Sequence, residues 1–253
     1  MKTLHAAAAK DPHENRSPLS PESIGKLSNM GIKITADKGI ALKSGFTDET
    51  LVQAGAQVSE LGEGTALADI IIRIAKPTQK DLDALEPGTL HISFLDPFNE
   101  KDLIQKLADK KISAISMEMI PRSTLAQKMD ALSSQANLAG YFSVVKAAET
   151  LGKVLPMMMT PSGTIAPAKV FVIGVGVAGL QAIATAKRMG AQVQAFDTRP
   201  EVEEQVKSIG GKFLKIDLGE TGQTEQGYAK ELTPEQIIKQ KEGMKKACSQ
   251  SDI

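Results

Sequence analysis

Residues 169–179, KVFVIGVGVAG, constrain this chain more than any other stretch. The first five are apolar, β-branched or aromatic apart from Lys169, and read as a buried strand. Glycines follow at Gly174, Gly176 and Gly179, and an apolar-periodic segment through Met189 reads as a helix. Each glycine has a physical reason. Gly174 permits a tight turn, Gly176 lets a pyrophosphate approach the backbone, and Gly179 lets helix and strand pack closely. The helix start then offers unpaired N–H groups and the positive end of a dipole to phosphate. Asp197 follows Gly179 by 18 residues, at the end of a second strand over 192–196. A carboxylate there accepts hydrogen bonds from both hydroxyls of an adenosine ribose. The competing explanation is a glycine turn that serves packing alone. Asp197 favours NAD(H), because it would repel a 2′-phosphate, while Arg199 is the counterweight, since its side chain can pair with one.

Composition narrows the surroundings of this motif. A length of 253 residues suits one or two domains. Hydrophobic residues at 42% and charged residues at 24% are those of an ordinary globular protein. Zero formal net charge leaves no electrostatic footprint for nucleic acid or anionic lipid. The lone Cys248 excludes an internal disulfide and fits a reducing compartment. No run approaches the ~20 apolar residues of a membrane helix, so the expectation is a cytoplasmic chain with no span of its own. His/Cys/carboxylate clusters with metal-ligand spacing are absent from the sequence, and no metal is expected.

The rest of the chain alternates strands and helices. Strands are expected at 31–35, 68–74, 89–94 and 112–116, with amphipathic helices at 21–30 and 101–110. Most of 123–151 reads as one long helix, and 156–167 as a proline-punctuated linker. Beyond Asp197 come a helix over 201–209 ended by Gly210-Gly211, a strand over 213–216, and a polar, glycine-rich loop over 219–230 that reads as mobile. A final helix over 233–248 has Thr233 as N-cap, Pro234 at its first position and Gln236 completing a capping box. Residues 251–253 fall where a fourth strand would begin. The fold class is therefore α/β: two Rossmann-like domains with parallel sheets joined by a long helix, the second domain incomplete at its C-terminal end. The expected boundaries are 1–125, a connecting helix over 126–150, and a nucleotide-binding domain over 151–253. No internal repeat is visible.

Around the fingerprint, residues 172–191 (VIGVGVAGLQAIATAKRMGA) resemble domain I of proton-translocating NAD(P) transhydrogenase, the NAD(H)-binding part of its alpha subunit. Residues 121–141 (PRSTLAQKMDALSSQANLAGY) are similar to that family's signature loop and the helix after it, and 227–231 (GYAKE) to its mobile loop. Glu14-Asn15-Arg16 with Ser20-Pro21-Glu22 is similar to the family's start, a pattern shared with alanine dehydrogenase. The resemblance implies that Arg122, Asp130 and Ser133 position the nicotinamide, while Gln127 brings it against that of NADP(H) held on a partner domain III. It implies that Gly227 and Tyr228 close over the nucleotide. Val177, Thr198, Arg199 and Gln240 complete the expected cofactor-binding set with Gly174, Gly176, Gly179 and Asp197. The implied reaction is hydride transfer from NADH to NADP⁺, coupled to proton movement through a membrane domain II. The implied assembly is a homodimer held peripherally at the inner membrane by partner subunits; the fold itself places the expected NAD(H) site in a cleft at the C-terminal ends of the Rossmann strands. The residue chemistry agrees. Hydride passing between two nicotinamides requires no acid or base at the reacting carbons, so positioning groups suffice. Family members are longer, which leads to the expectation of a truncated product or one half of a split subunit.

Two rival readings stand beside this one. Arg16, Lys76 and His91 occupy places similar to the arginine, lysine and histidine that hold substrate in alanine dehydrogenases, so an NAD-dependent oxidative deaminase is one alternative. A non-catalytic NAD(H)-binding fragment is the other. Each singled-out residue also has a bland role: His91 as a satisfied, partly buried histidine, Arg122 and Asp130 as a surface ion pair, Asp130 as a helix cap, and Tyr228 as an exposed tyrosine. Met157 to Met159 read as packing at the domain junction, Cys248 as a helix residue without a role, and His5 and His13 as too isolated to be ligands.

Overall fold

The computed structural model describes residues 1–9, 11–224 and 229–253. It divides into two compact units, Met1–Asp130 and Ala131–Ile253. In the first, six strands form one parallel sheet: β1 (Thr3–Ala6), β2 (Lys33–Asp37), β3 (Ala56–Ser59), β4 (Ile70–Ile72), β5 (Leu90–Ser93) and β6 (Ser113–Ser116). Their order is β3-β2-β1-β4-β5-β6, so the winding reverses between β1 and β4, as in doubly wound sheets. The helices are α1 (Pro21–Asn29), α2 (Asp48–Gln53), α3 (Gln79–Asp83) and α4 (Lys101–Asp109). Ser20, Thr47 and Thr78 each cap the helix that follows with a side-chain oxygen, satisfying an otherwise unpaired amide. One core layer joins Leu4, Ala6, Ile34 and Ala36 to Ile24 and Leu51, and another joins Ile71 to Leu82, Leu103 and Leu107.

The second unit opens with α5 (Ala131–Thr150) and an antiparallel hairpin, β7 (Met158–Thr160) and β8 (Gly163–Ile165). There follow β9 (Lys169–Ile173), α6 (Val177–Arg188), β10 (Gln192–Phe196), α7 (Glu203–Ser208), β11 (Lys212–Phe213) and α8 (Pro234–Ser249). Strands β11, β10 and β9 form a parallel sheet in that order. On the other edge of β9, Asp252 N donates to Lys169 O at 2.8 Å and Phe171 N donates to Ile253 O at 2.8 Å. Those bonds lay Asp252 and Ile253 where a fourth strand runs in this topology. Ile183 and Ala186 of α6 are fully buried against Val170, Val193 and Val206.

Some local expectations change, among them the strand expected over 213–216, which is Lys212–Phe213. The long helix starts at Ala131, and 123–130 form turns with a 3-10 segment at Gln127–Met129. The proline-punctuated linker folds back on itself as the hairpin, since Gly163 at φ 144 supplies the positive φ its turn needs. Its methionines are exposed, Met159 by 73%.

Candidate nucleotide site

The fingerprint folds as a strand–turn–helix within the second unit. Gly174 has φ 91, a conformation that L side chains rarely adopt, and its N–H donates to Phe196 O at 2.8 Å. A Cβ on Gly179 would lie 1.9 Å from Gly174 O, so the first turn of α6 packs against the loop only with glycine there. Gly176 is different. Its φ is −84 and an added Cβ would meet nothing within 4 Å. Nothing among the described residues requires glycine at this position. Gly176 is the N-cap of α6, and no side chain caps the helix. The turn therefore presents an uncapped helix start with an open backbone approach, the arrangement that fits a pyrophosphate. Val177 begins the helix. From the other side Gly140 of α5 supports it, since a Cβ there would lie 2.1 Å from Ala178 O.

Asp197 ends the second strand of this sheet, and only 6% of its side chain is exposed. Its Oδ2 accepts from Val175 N at 2.7 Å, which ties the acid to the glycine turn. Arg199 binds it through its backbone N and through its guanidinium. Burial pushes the Asp197 pKa up, but the guanidinium and the two amides outweigh burial and hold it below the ordinary carboxylate range. Beyond the acid lies a pocket of about 330 Å³, walled by Thr198, Pro200, Phe213, Lys215 and Leu218 among others. Of that wall, sequence reasoning finds Asp197 and Thr198 but not the rest. Its only signal is the short strand that delivers Phe213. In α8, Thr233, Pro234 and Gln236 form the anticipated capping box, and Gln236 Nε2 also donates to Leu218 O at 3.0 Å. The helix that carries Gln240 is thus tied to the pocket rim.

The signature-loop residues fall on both units. Arg122, Gln127 and Asp130 belong to the first, Ser133 to the first turn of α5 in the second. Arg122 Nε lies 3.6 Å from Asp130 Oδ2, closing a loop that is not helical, so the two residues meet by turn geometry and not by helix periodicity. Leu125 and Gln127 are exposed on the same loop, Leu125 by 90%. Gly227 and Tyr228 lie outside the described residues.

The residues of the rival triad each have neighbours of their own. Arg16 pairs with Glu14 at 2.7 Å and stacks over Phe94, Lys76 pairs with Glu100, and His91 is fully buried in β5. Burial foremost, and then the Arg73 cation, lower the His91 pKa to about 4, against a weaker pull from Asp81. Its Nδ1 lies 3.5 Å from Ser93 Oγ, while Nε2 has no hydrogen-bond partner among the described residues, so the ring is fully buried and only half satisfied. His5 Nδ1 lies 2.9 Å from Thr35 Oγ1, and its Nε2 lies 3.3 Å from Asp37 Oδ1.

Asp37 also exposes a likeness between the units that the sequence conceals. It ends the second strand of its sheet and accepts from Ala8 N at 2.8 Å, as Asp197 accepts from Val175 N. In the first unit, however, Gly62 N and the His5 ring take up the other oxygen, and the turn after β1 has no glycine. The first acid holds its own fold together, while the second stands beside an open glycine turn. No group of three or more His, Cys, Asp or Glu able to hold a metal occurs among the described residues. None of their helices is long and apolar enough to cross a membrane.

Two units of Rossmann-like winding, one with a complete glycine turn and its acid, define an α/β protein of the dinucleotide-binding type of fold. The comparisons are more specific. The profile "Alanine dehydrogenase/PNT, N-terminal domain" matches residues 7–139 and "Alanine dehydrogenase/PNT, C-terminal domain" matches 143–253, so the chain belongs to that family. An NAD(P) transhydrogenase alpha subunit of Rhodospirillum rubrum is 40% identical over 250 residues, covering 96% of this chain and 65% of the relative. A solved transhydrogenase structure from Sinorhizobium meliloti aligns with a TM-score of 0.81 at 42% identity, over 85% of this chain and 64% of that one. An alanine dehydrogenase from Methanococcus maripaludis is more distant, 29% identical over 191 residues, 73% of this chain and 50% of the relative. This chain spans just under two thirds of the length of these two transhydrogenases and less than half of the alpha subunits of Haemophilus influenzae and Cereibacter sphaeroides.

Proposed function

We propose that this chain is the NAD(H)-binding part of a proton-translocating transhydrogenase, acting with a partner domain that holds NADP(H) and with a membrane domain that couples the transfer to proton movement. The observation that carries the nucleotide reading is Gly176, a glycine with no internal reason in a turn whose other two glycines have one. In this reading the turn and the start of α6 take the pyrophosphate, and Asp197 takes the adenosine ribose. Thr198 and the pocket beyond take the base. Arg122, Asp130 and Ser133 orient the nicotinamide, and Gln127 bridges to the partner's nucleotide, with Tyr228, Gly227 and Gln240 completing the enclosure. The bound nucleotide supplies the hydride. The chain's task is alignment and exclusion of water, which suits a loop of hydrogen-bonding groups. The identity to transhydrogenase alpha subunits, higher than to the alanine dehydrogenase, supports this reading. So does the burial of His91, a poor position for an acid–base group.

The test combines the purified chain with an NADP(H)-binding partner domain and follows NADPH formation from NADH and NADP⁺. Gln127→Asn is expected to keep NADH affinity and to lower the rate by about tenfold or more, because alignment is what it removes. NADH oxidation that instead depends on pyruvate and ammonia, and is lost in His91→Ala, would establish the deaminase. Tight NADH binding with no transfer to any partner would establish a non-catalytic module.

A homodimer belongs to the same proposal. Leu138, Tyr141, Phe142 and Val145 form an exposed stripe on α5, at spacings of three and four residues. Met158, Met159 and Ile165 of the hairpin add exposed apolar surface. Phe142→Glu is expected to shift the sedimenting species from twice the chain mass to the 26.9 kDa chain. A wild type that sediments as a monomer would contradict the dimer.

A further inference from the structure

Asp197 is saturated from within its own turn. Oδ2 accepts from Val175 N at 2.7 Å and from Arg199 Nη2 at 2.9 Å. Oδ1 accepts from the Arg199 backbone N at 2.8 Å and from Arg199 Nε at 2.9 Å. A carboxylate offers about four lone-pair sites, and these bonds fill them. Nη2 donates in addition to Val175 O at 3.1 Å, so the guanidinium spans the acid and the glycine turn. A ribose diol reads such an acid through two O–H donors, one to each carboxylate oxygen. The fork of Nε on Oδ1 and Nη2 on Oδ2 presents the same pattern.

We infer that the Arg199 guanidinium is an internal stand-in for the ribose diol, which an incoming adenosine displaces from Asp197, so that Arg199 limits nucleotide affinity. This rests on the NAD(H) reading of the site and deepens it. The exchange is local. When the guanidinium leaves, Asp197 keeps two backbone donors, Val175 N and Arg199 N, neither of which depends on the arginine side chain. Those amides hold both the acid and the turn in place while one bidentate donor replaces another. The consequence runs against ordinary expectation, in which removing a cation beside a pyrophosphate weakens binding. The open, binding-competent state is only a fraction of the population while Arg199 competes, and apparent affinity is reduced by that fraction.

The experiment titrates NADH, 5′-AMP and 2′,3′-dideoxy-AMP into the wild-type chain, Arg199→Ala and Arg199→Gln, with a thermal melt of each. In Arg199→Ala, NADH and AMP are expected to bind about three- to tenfold more tightly, because the competing population is gone. Dideoxy-AMP carries no hydroxyl to seat on Asp197, so its affinity is expected to be the same in both proteins. Should Arg199→Ala fail to fold, Arg199→Gln keeps a side-chain donor and is expected to show a smaller tightening in the same direction. Unchanged or weaker binding of NADH and AMP in the folded variants, with a wild type that binds, would overturn this inference alone. Equal tightening of dideoxy-AMP would overturn it too, showing a general effect of charge. A wild type that binds no NADH at millimolar concentration would overturn the nucleotide reading and this inference with it.

Discussion

His91 shows how far one residue can depart from what its neighbours in sequence suggest. Within TLHISF it reads as an alternating strand position, and its chemistry invites a catalytic role. In the sheet it is fully buried, and burial with the Arg73 cation holds its pKa near 4. The folded state thus keeps the imidazole neutral, whereas the unfolded chain protonates it below its ordinary value of about 6.5. Stability from this residue is complete above about pH 6.5 and is lost as pH falls from there toward 4. The full loss is roughly 3 kcal/mol, taken from the pKa difference. Urea unfolding at pH 7 and pH 4.5 should show that fall in wild type and a shallower one in His91→Gln. Equal slopes in the two proteins would contradict the role of His91, because Asp37 and Asp197, whose pKa values are lowered, act only below this pH window. The burial of His91 is not legible in the sequence, because a six-stranded parallel sheet covers both faces of an inner strand and hides polar residues that a half-exposed strand would show.

At the scale of elements, legibility follows the strength of local signals. The final helix is readable to its cap because Thr233, Pro234 and Gln236 each act within one turn. β9, α6 and β10 are readable from apolar runs punctuated by glycine. β1 and β3 are not: Thr3–Ala6 and Ala56–Ser59 are four residues each, and alanine carries little strand preference. Their existence is decided by pairing across the sheet, His5 with Thr35 and Val58 with Ala36, which one-dimensional patterns do not record. α5 reads in the sequence as a connection, yet its central role is a close approach. Gly140 meets the carbonyl of Ala178 in the first turn of α6, the turn that receives phosphate in the proposed function. Gly140→Val should force the helices apart and cost about 2–3 kcal/mol, as overpacking of a tight contact does. Its melting temperature should fall, and NADH affinity with it. Unchanged melting would mean that α5 shifts without strain.

For the whole molecule, the two units share one winding and one tie between a second-strand acid and the turn after the first strand. The sequence conceals this, because only one turn carries the glycines. Where the tie is closed by His5 and Gly62, the acid serves the fold. Where it borders an open turn, it is available for function. Which unit binds nucleotide in the proposed function is therefore legible from glycine alone, while the adenosine pocket wall and the internal partner of Asp197 require the fold. The central claim is that the open turn at Gly176 exists for a dinucleotide, and its most direct test is an NADH fluorescence titration of wild type beside Gly176→Val, with melting temperatures. Since a Cβ at Gly176 meets nothing within 4 Å among the described residues, the expected result is at most a small fall in melting temperature, from the lost N-cap glycine, and at least a roughly tenfold loss of NADH affinity. Equal NADH affinity in the folded variant would contradict it.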